Sequence, residues 1–285
     1  MLPMTLVPLW AVHLADGVLN GPALLIGWLL AAALAWAGSR RLHEFEIPHI
    51  AILTAMFFIA SLIHVRIGPT SVHLLFNGLV GAVLVRRAAL AIPVGLFLQA
   101  ALIGHGGWTT LGVNTCVLVL PALLAGGTIE RLRRINWGSR PWLRAGVVGL
   151  CVLVWLESLV ASAVLLRYWG FTIEESSDIS MLWTVLLHPA AIAAVLLLSL
   201  LAAWVERRLD HPPEFALGLL IGEGTVLLTL ALNSAVLIGC GADDWRAIAL
   251  LVFIAHLPIA AIEGVVLGFV VGFLARVRKP TITSA

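Results

Sequence analysis

Two short stretches place nitrogen ligands where an otherwise apolar chain has no packing need for them. VHLADG (12–17) sets His13 just ahead of an Asp16–Gly17 turn signal, and PTSVHLLFNG (69–78) sets His73 behind Pro69 and Ser71, a helix-start signal. Imidazole suits nickel, cobalt, copper and zinc, whereas calcium and magnesium take oxygen. The chemistry such a pair offers is capture of a divalent transition metal. A histidine at a helix end also has a plainer reading as a half-solvated interfacial side chain. That reading prevails for His64, His105 and His188, and the two readings balance for His13 and His73. Three carboxylates, Glu157, Glu223 and Glu263, fall inside apolar runs, where an ionisable group costs several kcal/mol unless paired and is a functional candidate for that reason. His256 and Glu263 share one helix face two turns apart, with Pro258 between them to free a backbone carbonyl. A structural polar pair explains them at least as well as a pair of ligands.

The elements that must position these groups are membrane helices. The chain has 285 residues, 61% of them hydrophobic and only 11% charged, with a mean hydropathy of +1.06. A soluble domain carries about 25% charged residues, so this chain is an integral membrane protein. A helix crossing about 30 Å of hydrocarbon needs about 20 residues. The apolar runs predict spans at 22–38, 49–66, 71–85, 88–104, 110–127, 144–167, 183–204, 215–238 and 247–274. With no period-2 alternation the fold class is all-α, a polytopic helix bundle of seven to nine spans.

Loops alternating between two sides from an outer N-terminus put fourteen basic residues inside: Arg40, Arg41, Arg86, Arg87, Arg131, Arg133, Arg134, Arg140, Arg144, Arg207, Arg208, Arg276, Arg278 and Lys279. Only Arg66, Arg167 and Arg246 fall outside. That bias predicts an outer N-terminus and a cytoplasmic C-terminus in the plasma (inner) membrane. It places His13, His64, His73, His105, His188 and His256 towards the outside. Tryptophans near span ends read as interfacial anchors. Cys116, Cys151 and Cys240 are far apart and form no CxxC pair, so neither a disulfide framework nor a thiolate metal site is suggested. No basic block suits nucleic acid, and there is no soluble domain of useful length.

Four stretches in order, VHLADGVL (12–19), TSVHLLFNGLVGAVL (70–84), LIGHGGWTTLGVNTCVL (102–118) and AHLPIAAIEGVVLGFVVGFLARVR (255–278), resemble the membrane substrate-capture component of cobalt and nickel energy-coupling-factor transporters. The likeness makes the chain a single membrane domain (1–285). Within it lie an N-terminal metal-binding segment (1–21), a family-like core (22–127), variable helices (140–245) and a family-like last span (247–278). It implies a non-enzymatic subunit of an ABC-type importer that binds Ni²⁺ or Co²⁺ outside and delivers it inward. The implied partners are a transmembrane coupling protein, a pair of cytoplasmic ATPases and a small auxiliary membrane subunit. Hydrolysis by those partners fits the lack of a GxxxxGK[ST] phosphate loop here. No resident cofactor is implied, the metal being cargo.

In the family the metal sits on the terminal amine, the amide nitrogen and imidazole of the second residue, and the SVHL histidine. Carried over, the metal ligands are His13 and His73, joined by Val12 if the mature chain begins there. Supporting or pathway residues are Asp16, His105, Asn114, His256 and Glu263. Two departures stand out. Twelve residues precede His13, and the family has about seven spans where nine are counted. An amine at residue 12 requires translation to start at Val12 or removal of residues 1–11. The segment lacks a basic n-region and has Leu9 three residues before the cut, which disfavours a signal peptide and favours the start-site route. Two other functions compete: a capture subunit for a different substrate, and an intramembrane metalloenzyme. The second rests on HEFEIPH (43–49), whose spacing is wrong for HExxH and which lies on the inner side.

Overall fold

The computed structural model describes residues 13–67, 70–132, 140–168 and 214–277. They form α1 (Gly21–Ser39), α2 (Ile47–Leu62), β1 (His64–Ile67), β2 (Thr70–His73), α3 (Asn77–Leu84), α4 (Ala88–Ile103), α5 (Leu111–Leu132), α6 (Pro141–Tyr168), α7 (Glu214–Cys240) and α8 (Arg246–Val277), with single 3₁₀ turns at Glu44–Glu46 and Val85–Arg87. Among the described residues, seven helical stretches are long and apolar enough to cross a membrane. The chain divides into two compact units: residues 1–127 with 225–259, and residues 128–224 with 260–285. The expected span at 183–204 lies outside the described residues.

Local chemistry sets the helix limits. Asn20 caps α1 by accepting the Ala23 N–H at 3.0 Å, and Pro22 occupies the first turn, where no N–H partner is needed. Gly27, Ala31 and Gly38 form the buried stripe of α1, while Leu25, Leu29 and Trp36 are each 64% exposed. An apolar face of that size is untenable in water and natural in hydrocarbon. Exposed Trp36, Trp108 and Trp142 near helix ends fit interfacial anchoring.

The expected spans at 49–66 and 71–85 need correction. Residues 64–67 and 70–73 instead pair as an antiparallel hairpin with His64 opposite His73, so α2 stops at Leu62 and α3 begins only at Asn77. The sequence explains this: Gly68–Pro69 is a turn signal between HVRI and TSVH, and the β-branched Val65 and Val72 lose rotamer freedom in a helix and fit a pleat. The all-α class therefore carries one small two-stranded element. The stretch Asn77–Ile103 is not one crossing but a helical hairpin. Asn77 donates to the Leu118 carbonyl and Gly81 abuts Ala122, so α3 runs alongside α5 in the same direction. After the turn at Val85–Arg87, Ala89 packs on Gly38 at the end of α1, and α4 returns past Phe57.

That turn is held by Arg87, 3% exposed. Its guanidinium donates to the carbonyls of Gly38 (2.5 Å), Arg40 (2.9 Å) and Arg41 (2.6 Å) and pairs with Glu46 at 2.6 Å. The orphan carbonyls at the end of α1 are thereby satisfied. The opposite end of the first unit lies one α4 length away, about 24 Å, and holds the histidines.

In the second unit, Gly264 packs on the Leu219 carbonyl and the Glu223 side chain, and Gly268 packs on Phe215. The small residues of the last span thus bring α7 and α8 together within the chain.

Candidate metal centre

Three imidazoles converge at the end of the first unit. Ring centroids are 5.1 Å apart for His13 and His73, 5.0 Å for His13 and His105, and 5.0 Å for His73 and His105. One ring nitrogen from each lies within 4.8 Å of the others. His73 Nδ1 donates to the Leu74 carbonyl at 2.9 Å, which leaves its Nε2 as a lone pair facing His105 Nε2 at 3.2 Å. His13 is 4% exposed, and neither of its ring nitrogens has a hydrogen-bond partner among the described residues. Buried polar groups are nearly always paired, so such orphans ask for a ligand.

Each ring is delivered by a different piece of chain. His13 is placed through the backbone of its neighbour: Asn114 on α5 accepts the Leu14 N–H at 2.8 Å and returns a hydrogen bond to the Leu14 carbonyl at 3.0 Å, while Thr110 donates to that same carbonyl. On the other side, the Asn20 N–H donates to the Cys240 carbonyl and the Ala242 N–H to the Val18 carbonyl, tying the segment to the end of α7. Asp16 accepts the N–H groups of Trp108 (3.0 Å) and Thr109 (2.7 Å) and the Thr109 hydroxyl. Burial works to raise the Asp16 carboxyl, but the hydrogen bonds from Thr109, Trp108 and Thr110 outweigh it and hold it below its ordinary range. Gly107 has no side chain because a Cβ would collide with that carboxylate. Gly106, at φ +82°, lets the turn pass His13. His73 ends β2, and His105 follows the left-handed Gly104 cap of α4, its N–H donating to the Gln99 carbonyl.

The site is electrically neutral. Burial, then the nearby His105, His73 and His256, hold the His13 imidazole well below its usual value. Burial also lowers His73, against its hydrogen bond to Leu74, and burial with the neighbouring His73 and His64 brings His105 down to about 3. Uncharged imidazole is the form that ligates a metal, so no proton has to leave first.

The expected metal ligands His13 and His73 come together, and His105, read from sequence as half-solvated or supporting, joins them as an equal. Val12 lies outside the described residues. Asp16 and Asn114 hold the N-terminal segment and do not face the triad as donors. His256 is fully buried near His13 and His73; its Nδ1 donates to the Val252 carbonyl at 2.8 Å and its Nε2 has no partner among the described residues. That bond replaces the expected His256–Glu263 pairing, and Glu263 belongs to the second unit. His64 is exposed, as expected, and His188 lies outside the described residues. Sequence reasoning missed Ser71, two residues from His73, and Gln99, whose buried polar side-chain atoms also lack partners among the described residues. HEFEIPH is spent structurally: His43 stacks on Phe45 and Glu46 pairs with Arg87.

Known proteins resemble the chain over most of its length. The model of the CbiM family, described as the cobalt uptake substrate-specific transmembrane region, matches residues 13–196 and 186–281. The chain is 34% identical over 174 residues to a protein of Haemophilus influenzae named as a candidate metal transport protein, covering 61% of this chain and 82% of that one. It is 33% identical over 129 residues to a candidate cobalt transport protein CbiM of Halobacterium salinarum, covering 42% and 58%. A solved structure titled as a transition metal transporter shares the fold, with a TM-score of 0.56, 15% identity and 95% of each chain covered. With its multi-pass apolar helices and a family match over nearly its whole length, the chain belongs to the CbiM family, the substrate-specific transmembrane region of cobalt uptake.

Proposed function

We propose that the chain is the capture subunit of an energy-coupling-factor importer, binding Co²⁺ or Ni²⁺ from outside at the histidine centre and passing it inward. The observation that carries this reading is the convergence of three uncharged imidazoles, His13 and His73 buried and His105 half-buried, with both His13 ring nitrogens unpartnered among the described residues. The arginine distribution supports the direction. Arg40, Arg41, Arg86 and Arg87 lie at the end of the first unit away from the histidines, so the positive-inside rule turns the metal centre outward. The ATPase pair supplies the energy through the transmembrane coupling protein, with a small auxiliary membrane subunit as a further partner. The alternative donor set, open to a chain that begins at residue 12, is the terminal amine, the His13 amide nitrogen and the two imidazoles of His13 and His73, a tetragonal field that suits Ni²⁺.

Calorimetry with Co²⁺ and with Ni²⁺ on the purified chain, set against His13→Ala and His73→Ala, tests the reading. One ion per chain is expected, with binding lost in both variants. Unchanged binding in either variant refutes it. Recovery of the ATPase pair and coupling protein with the tagged chain from membranes tests the assembly.

A further inference from the structure

Resting on that reading, we infer that His105 is a full metal ligand. The geometry points to a tetrahedral three-imidazole tripod, His13–His73–His105, that selects Co²⁺ or Zn²⁺ without needing a terminal amine.

The geometry of the rings decides between coordination types. Metal–imidazole bonds are about 2.1 Å, which puts each ring centroid about 3.2 Å from the ion. Tetrahedral angles then separate centroids by about 5.2 Å and donor nitrogens by about 3.4 Å. A facial octahedral set would bring centroids to about 4.5 Å. Three corners of a square must include one trans pair, whose centroids lie about 6.4 Å apart. The observed triangle is nearly equilateral at 5.0–5.1 Å, with one nitrogen pair already at 3.2 Å. The three separations match the tetrahedral value, and no pair stands at the trans distance that a square plane requires.

The donor chemistry agrees. His73 presents a lone pair at Nε2 because its Nδ1–H is committed to the Leu74 carbonyl. His105 Nε2 lies in hydrogen-bond range of that lone pair, and an ion placed between them replaces this contact with two bonds. His13 offers two nitrogens with no competing partner among the described residues. Three side chains thus supply the nitrogens that the amine and amide would otherwise provide, and the fourth tetrahedral position stays open for water or for exit. Zn²⁺ and Co²⁺ accept this field, whereas Ni²⁺ and Cu²⁺ favour tetragonal nitrogen sets.

The test uses the full chain in detergent, titrated with Co²⁺ and read by visible absorption. The expected result is the intense band pattern of tetrahedral Co²⁺, displaced by Zn²⁺ at least tenfold more readily than by Ni²⁺. His105→Ala should weaken Co²⁺ binding by more than about 100-fold, beyond the roughly 10- to 100-fold that loss of a residue merely supporting a ligand costs. His105→Cys keeps a donor and should show a sulfur-to-cobalt charge-transfer band, which only a ligating residue produces. Starting the chain at residue 12 should leave the spectrum unchanged. If His13→Ala and His73→Ala abolish binding while His105→Ala binds as before and His105→Cys gives no new band, the tripod is wrong and metal capture stands. Absence of Co²⁺ binding by the parent chain overturns both.

Discussion

The first unit contains two buried polar clusters at opposite ends, and they are opposites in bookkeeping. Around Arg87 every group is spoken for: the guanidinium donates to three carbonyls and to Glu46, and a positive charge meets a negative one. At His13 both ring nitrogens are uncharged and unpartnered among the described residues, although burial is as deep. A satisfied network stabilises the fold and has nothing left to offer a ligand. An unsatisfied one costs stability, about 1–3 kcal/mol per orphaned group, and persists where a ligand completes it. The difference separates scaffold from site without reference to residue type.

Exchanging the roles of the two clusters by mutation gives the largest effects. His13→Leu and His73→Leu should each weaken Co²⁺ binding by more than about 100-fold, while thermal unfolding of His13→Leu in detergent stays level or rises, because an apolar side chain replaces an unpaired polar one. Calorimetry beside a melting curve reads both. Arg87→Ala should do the reverse, lowering the unfolding midpoint by leaving the carbonyls of Gly38, Arg40 and Arg41 without their donor and leaving the Co²⁺ affinity of the folded fraction unchanged. A loss of affinity in Arg87→Ala equal to that in His13→Leu would erase the distinction.

Smaller effects sharpen it. Asn114→Ala removes both hydrogen bonds to Leu14 without touching a metal donor. We expect about a tenfold loss of affinity together with about 1–3 kcal/mol of stability, a mixed outcome between the two extremes.

The pH dependence is smaller still. The three imidazoles are held uncharged in the folded protein, with His105 lowered to about 3, whereas the denatured chain titrates near about 6.5. The folded state therefore binds fewer protons below that value. Stability is complete above about pH 6.5 and declines as pH falls towards 3. Metal affinity, having no proton to displace, should change less than about twofold between about pH 8 and about pH 6. A steep loss over that interval, measured by competition titration, would show that the rings are solvated.

How far the site was readable from sequence follows from how each residue is placed. His13 and His73 stand in ordered motifs, and their types announce nitrogen chemistry. His105 reads alone as one more histidine at a helix end. Its meeting with His73 depends on the α4–α5 turn, where Gly104 and Gly106 take left-handed conformations, and the run GHGG was the available clue. The spans at 22–38 and 88–104 were legible because apolar length is a one-dimensional property. The hairpin at 64–73 was less so, because its few polar residues sit between two long apolar runs that read as continuous spans. Arg66, the Gly68–Pro69 turn signal and the clustered β-branched residues are the marks it leaves in the sequence. Arg87 looked like one of fourteen inner-side charges, and nothing local in the sequence shows that it is buried against the end of α1.

The most direct measurement is a crystal of the cobalt-loaded chain examined by anomalous scattering at the cobalt edge. The account predicts one peak per chain in the first unit, about 2.1 Å from a nitrogen of each of His13, His73 and His105. A peak elsewhere, or one bonded to His13 and His73 with His105 turned away, would contradict it.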